Sequence, residues 1–212
     1  MERRNRDLAQ LALVSEAPRI DGERRARYER YLAEILESLG LSLAHEGTRH
    51  TPARLLQAWI DATSGYERDP KLVTLFPIGE SGQQADDNTQ IVEGPIPFTA
   101  LCEHHVLPFV GRAWVGYVPC GQLIGLSKLT RLVRQYSRRF TMQERLGGVV
   151  ANALQAIVGS RGAGVHVEAI HLCTRMRGVR ESETVTRTTA WRGAYQASES
   201  LRREFLELCA GR

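Results

Sequence analysis

Cys102, Glu103, His104 and His105 are consecutive, and Cys102 and His105, at i and i+3, are thiolate and imidazole donors whose spacing can close on one metal ion from a turn or a strand end. A second pair, His171 and Cys173, lies two residues apart, a spacing that puts both side chains on one face of a strand. Taken singly, each cysteine reads most simply as a small buried hydrophobe and each histidine as a hydrogen-bonded side chain. Grouped in two short clusters, they favour a metal, and mixed thiolate and imidazole donors favour zinc. A structural zinc takes four protein donors, whereas a catalytic one keeps three and an open position for water. Counting both His104 and His105, the donors exceed either need, which leaves histidines for acid and base work.

Glu144 follows Gln143, and a carboxylate beside an amide is the equipment that reads a guanine edge, the carboxylate accepting from amino and imino N–H groups. The run Thr141, Met142, Gln143, Glu144 reads equally well as a capping box, in which the glutamate returns to the N-cap amide. Ser127, Lys128 and Arg131 open a helical pattern, where free amides and the positive end of the dipole favour phosphate. Arg177 lies just past the His171 pair, within reach of an anion beside it, and its planar fork suits phosphate oxygens. Arg134, Arg138 and Arg139 read as a solvated face.

The elements that must position these residues are helical first and mixed afterwards. Residues 1–22 carry mixed charge with little periodicity and form a weakly ordered arm. From Glu23 to Leu39 apolar residues recur at helical spacing, with Gly40 as the stop. Thr51 as N-cap and Pro52 open a second helix, and 79–88 is a polar loop. Strands are expected at Ile91–Glu93, Arg112–Val118 and Val165–Cys173. Helices are expected from Ser127, from Thr141 to about Val158, and from Ala197 to Cys209. This order is an α+β chain, divided into the arm 1–22, a helical region 23–66 and an α+β catalytic domain 67–212.

Composition narrows the classes. The chain has 212 residues, 42% of them hydrophobic and 25% charged, enough to bury a sizeable core. Its longest apolar runs are a few residues, far short of the roughly 20 of a membrane helix. The charged N-terminus fits neither a secretory signal nor a transit peptide, so a cytoplasmic protein is expected. Four cysteines, widely spaced, are not a disulfide scaffold. The formal net charge of +4 favours an anionic ligand. No aromatic stacking platform or recognised motif accompanies the arginines, so nucleic acid is not the expected partner.

Five stretches together resemble the GTP cyclohydrolase I family: Thr51-Pro52-Ala53-Arg54, Leu101 to His105, Ile124 to Leu129, Gln143 to Leu146, and His171-Leu172-Cys173 leading to Met176 to Val179. The resemblance runs from about Thr51 to Phe205. It implies zinc on Cys102, His105 and Cys173 with water as the remaining ligand, and His104 and His171 as the proton-transfer pair. It further implies guanine on Gln143 and Glu144, triphosphate on Arg54, Lys128, Arg131 and Arg177, and the ribose by Ser127. The implied reaction is attack of activated water on C8 of GTP, loss of formate, an Amadori rearrangement and closure to 7,8-dihydroneopterin triphosphate, the first step of tetrahydrofolate and pterin synthesis. The implied architecture is the tunnelling fold: an antiparallel sheet with helices on one face, an N-terminal helical region, and a barrel closed by oligomerisation, commonly a homodecamer of two pentamers. Gln57 stands where many relatives carry Lys, and Glu181 and Glu183 add acid near the expected phosphate side. Those departures motivate a competing reading, a paralogue that acts on a related purine nucleotide or binds pterin or nucleotide as a regulatory module.

Overall fold

The computed structural model describes residues 20–67, 69–73, 75–77 and 89–211. Most of the expected arm 1–22 and the whole of the expected loop 79–88 lie outside the described residues. In chain order the helices and strands are α1 (Gly22–Ser38), α2 (Thr51–Ala62), β1 (Leu75–Pro77), β2 (Ile91–Cys102), β3 (Pro108–Val118), β4 (Gln122–Ile124), α3 (Leu126–Ser137), β5 (Phe140–Thr141), α4 (Gln143–Val158), β6 (Gly162–His171), α5 (Leu172–Arg175), β7 (Thr186–Gly193), α6 (Ala194–Ala197) and α7 (Glu199–Cys209).

Asp21 starts α1 by accepting the Arg24 N–H at 2.8 Å, one of the donors a first turn leaves without an intrahelical partner. Leu32 is buried in α1, whereas Tyr31, Ile35 and Leu39, one turn apart, stay exposed. α2 starts one residue earlier than the pattern suggested: His50 is the N-cap, and Thr51 and Pro52 are the first helical residues. Pro52 loses nothing there, because first-turn N–H groups have no intrahelical acceptor.

A five-stranded sheet in the order β5-β2-β3-β6-β7 carries the rest of the chain. Its pairings are antiparallel except for the two-residue parallel match of β5 to the end of β2. Alternation does the sorting: Ala113, Val115 and Tyr117 of β3 and Ala163, Val165 and Val167 of β6 face the same core as Leu129, Leu132 and Val133 of α3 and Leu146, Val150 and Leu154 of α4. Helices on one face therefore describes α3 and α4. The C-terminal α7 covers a corner of the opposite face, where Phe205 packs with Trp114, Tyr195 and Trp191. Gly116 makes that approach close, since a Cβ there would lie 2.7 Å from the Phe205 ring.

Several expectations need correction. β2 extends to Cys102 rather than ending near Glu93, and β7 was not anticipated. β6 ends at His171, and Cys173 sits in the helical turn α5, so the two do not share a strand face. Ser127 is not an N-cap; Gly125 is, and Ser127 lies in the first turn of α3. Thr141 belongs to β5 and the N-cap of α4 is Met142, with no side-chain cap bond, so the capping box does not form. Ser198 caps a separate last helix, α7.

Candidate active site

One end of the sheet gathers the chemistry. β2 ends there at Cys102, β3 begins there, and β6 ends there with His171 opposite Phe109 of β3. β5 delivers the chain to the same end, pairing Thr141 with Cys102 just before α4 begins. The turn joining β2 to β3 is pinned from both sides. Within it, Cys102 N–H bonds Leu107 C=O and Val106 N–H bonds Cys102 C=O. Across to β5 and α4, Glu103 N–H bonds Thr141 C=O, and its carboxylate accepts from both terminal nitrogens of Arg145 at 3.0 and 3.1 Å. Val106 in this turn has φ 56°, a left-handed conformation that a β-branched residue adopts only where its surroundings impose it.

The pinned turn holds a donor cluster. The ligand atoms of Cys102, His104 and His105 all lie within 4.8 Å of one another. Cys102 Sγ is 3.9 Å from His105 Nδ1, close to the separation of about 3.6 Å that tetrahedral bond lengths dictate. Cys173 joins from α5: burial first, and then the neighbouring Cys102 thiol with which it shares a hydrogen bond, push its own thiol above the ordinary value, against a pull downward from Arg177. A thiol that resists ionising beside a second cysteine is the arrangement a divalent cation reverses, because the ligand form is the thiolate. The residues present therefore fit a metal of the zinc type. All four cysteines of the chain are free.

His171 is held from two directions. Its ring stacks on Phe109 with centroids 4.8 Å apart and planes 4° apart, and its Nε2 is 2.7 Å from Gln143 Oε1. Burial lowers its pKa, and the Glu144 carboxylate offsets part of that. Gln143 is fully buried, and its Nε2 donates to Val167 C=O at 3.2 Å and Thr186 C=O at 2.9 Å. The next residue, Glu144, is exposed in the first turn of α4. Of the pair expected to read guanine, Glu144 thus has its carboxylate free to meet a ligand, whereas the amide of Gln143 is committed within the protein.

The remaining expected residues are dispersed. Arg177 stands near Cys173 and is exposed. Ser127 and Lys128 lie in the first turn of α3, about 15 Å along the helix axis from the end that leads into β5. Arg131, on the same helix, is 3.0 Å from Asp69 across a cavity of about 640 Å³ also lined by Lys71, Ser127, Arg134 and Arg138. Arg54 of α2 bonds Gly47 C=O at 3.1 Å. Gln57, one turn on, accepts from Arg25 of α1 and donates to Asp61, both at 2.8 Å, so it ties α1 to α2. One chain brings together Cys102, His104, His105, His171, Cys173 and Glu144 but leaves Ser127 and Lys128 at a distance.

Sequence reasoning missed two contributors, Phe109 and Asp69. An aromatic in a strand and an aspartate before a proline carry no chemical signature of their own.

The chain is similar to known proteins over most of its length. The family described as GTP cyclohydrolase I matches residues 28–210. A GTP cyclohydrolase 1 of Teredinibacter turnerae is 41% identical over 179 residues, 83% of this chain and 94% of that protein. Those of Campylobacter lari and Methylococcus capsulatus are 39% and 38% identical, covering 86% and 85% of this chain and 94% and 95% of theirs.

Proposed function

The chain belongs to the GTP cyclohydrolase I family, and from that membership together with the site we propose that it is a zinc-dependent enzyme converting GTP and water to 7,8-dihydroneopterin triphosphate and formate. What supports this reading is the cluster of Cys102, His104 and His105, with Cys173, His171 and Glu144 at the same end of the sheet. Cys102, His105 and Cys173 are the zinc ligands in this reading. Zinc when bound supplies Lewis acidity that makes water nucleophilic near neutral pH.

The chain's own residues supply the rest. Glu144 accepts from the N1–H and the 2-amino group of guanine, two parallel donors that a carboxylate matches and that adenine lacks. His171, with Nε2–H donated to Gln143, keeps Nδ1 as the basic nitrogen that takes and returns protons as the imidazole ring of the purine opens. His104, exposed beside the metal ligands, is the second proton carrier. Arg54, Lys128, Arg131 and Arg177 hold the triphosphate, and Ser127 lies by the ribose.

The separation of Ser127 and Lys128 from the Cys102 turn supports active sites shared between copies, and we assign the protein to a homodecamer of two pentamers. The free cysteines accord with a reducing compartment, the cytoplasm. The domain division also stands as a proposal: the arm 1–22, the helical region 23–66 and the catalytic domain 67–212.

Zinc content measured alongside formate release and pterin fluorescence on purified protein given GTP tests the function. About one zinc per chain with both products is expected. Zinc without either product would favour the regulatory or altered-substrate paralogue. His105→Ala is expected to lose zinc, and His104→Ala to keep it while losing turnover; equal metal loss in both would overturn the division of roles.

A further inference from the structure

We propose that Gln143 is a positioning residue that fixes the plane and the tautomer of His171. This rests on the reading of His171 as a proton carrier in GTP hydrolysis. The argument begins with the amide's surroundings. Gln143 is 0% exposed, and its Nε2 faces two backbone carbonyl oxygens, Val167 at 3.2 Å and Thr186 at 2.9 Å, with Thr188 Oγ1 at 3.5 Å. Carbonyls only accept, so turning the amide over would set Oε1 against two acceptors and leave the buried NH2 without them. The amide therefore has one orientation, with Oε1 toward His171.

Oε1 can only accept, so at 2.7 Å the hydrogen between the two groups belongs to His171 Nε2. In the neutral ring that leaves Nδ1 as the acceptor. Phe109, stacked face to face at 4.8 Å, sets the plane in which this happens. Ring and amide are thus locked by three strands: β3 provides Phe109, β6 provides His171 and the Val167 carbonyl, and β7 provides Thr186 and Thr188. Adjacent residues on α4 divide the labour, Gln143 inward to the base and Glu144 outward to the ligand.

The test uses the full-length, zinc-loaded protein carrying Gln143→Met or Gln143→Glu, each alone and combined with His171→Ala. Formate release from GTP by the unaltered protein, and its fall to a residual but measurable rate in His171→Ala, first decide the underlying reading. Given that, Gln143→Met is expected to lower kcat about tenfold to hundredfold, the cost typical of removing a partner that orients a functional histidine. KM for GTP should stay within about twofold, and GTP should remain preferred over inosine triphosphate to the same degree. In the His171→Ala background the same substitution should cost nothing further.

Equal loss in both backgrounds would make Gln143 merely structural. A raised KM with a collapsed preference for GTP over inosine triphosphate would return it to guanine recognition. Gln143→Glu keeps an acceptor for Nε2–H but sets its second oxygen against the Val167 and Thr186 carbonyls, so it too should lower kcat without raising KM, and the tautomer of the unaltered protein carries the test if neither variant folds. Independently of turnover, nitrogen NMR of histidine-labelled protein, with His171→Ala assigning the signal, should find His171 as the Nε2–H tautomer and a tautomer mixture in the variant. The opposite tautomer in the unaltered protein would overturn the proposal.

Discussion

At the scale of single residues, Asp69 is an acid set among bases. With Glu67 it stands in a cavity whose other charged residues are Lys71, Arg131, Arg134 and Arg138, and it ties up one of the arginines assigned to triphosphate. Burial works against its ionised form, but the bond from Lys71 N–H and the Arg131 guanidinium hold its carboxyl below the ordinary value. On that assignment, an incoming triphosphate must take Arg131 from it. Asp69→Asn keeps an acceptor for Lys71 N–H and removes the charge, so KM for GTP should fall, by at most about fivefold given that the pair is partly exposed. Initial rates across GTP concentrations check this, and an unchanged or higher KM would place Arg131 outside the triphosphate site. The proposed metal donors stand out in the sequence because they come in short-range pairs, three or two residues apart. The task of Gln143 was not, because its partners Val167 and Thr186 lie 24 and 43 residues away and are backbone atoms with no residue signature.

At the scale of elements, β2 shows how local punctuation misleads. Pro95 and Pro97 argue against a strand, yet both are tolerated because the outer edge of β2, before its match with β5, has no strand partner among the described residues. β7 escaped notice because it lacks an apolar run: its residues are exposed or half-buried, none of them buried, and its pairing with β6 supplies the order. α5 broke the strand reading of His171 and Cys173, although both still reach the site, since a helical turn returns Cys173 toward Cys102. α7 depends on a bare backbone beneath it. Gly116→Ala would drive a methyl into the Phe205 ring and toward the Tyr195 hydroxyl, costing about 1–3 kcal/mol of stability. Thermal denaturation should reveal that loss, while zinc content, which depends on the other end of β3, stays unchanged.

At the scale of the whole molecule, the helical region, the core and the metal-type cluster are complete in one chain, whereas the proposed site is not. If copies share it, an inactive Lys128→Ala protein and an inactive His105→Ala protein should regain formate release when unfolded and reassembled together. No recovery from the mixture, or a stable monomer by light scattering, would contradict shared sites. The two sheet margins carry a further consequence. β7 and β2 are different strands, so joining one to the other of the next copy is head-to-tail association, which ends only if the accumulated rotation closes a circle and otherwise runs on as a filament. The prolines at 95 and 97 withdraw two N–H donors from one margin, so the seam cannot be an uninterrupted ladder. The residues that made β2 hard to recognise therefore also bear on how one copy could meet the next along that margin.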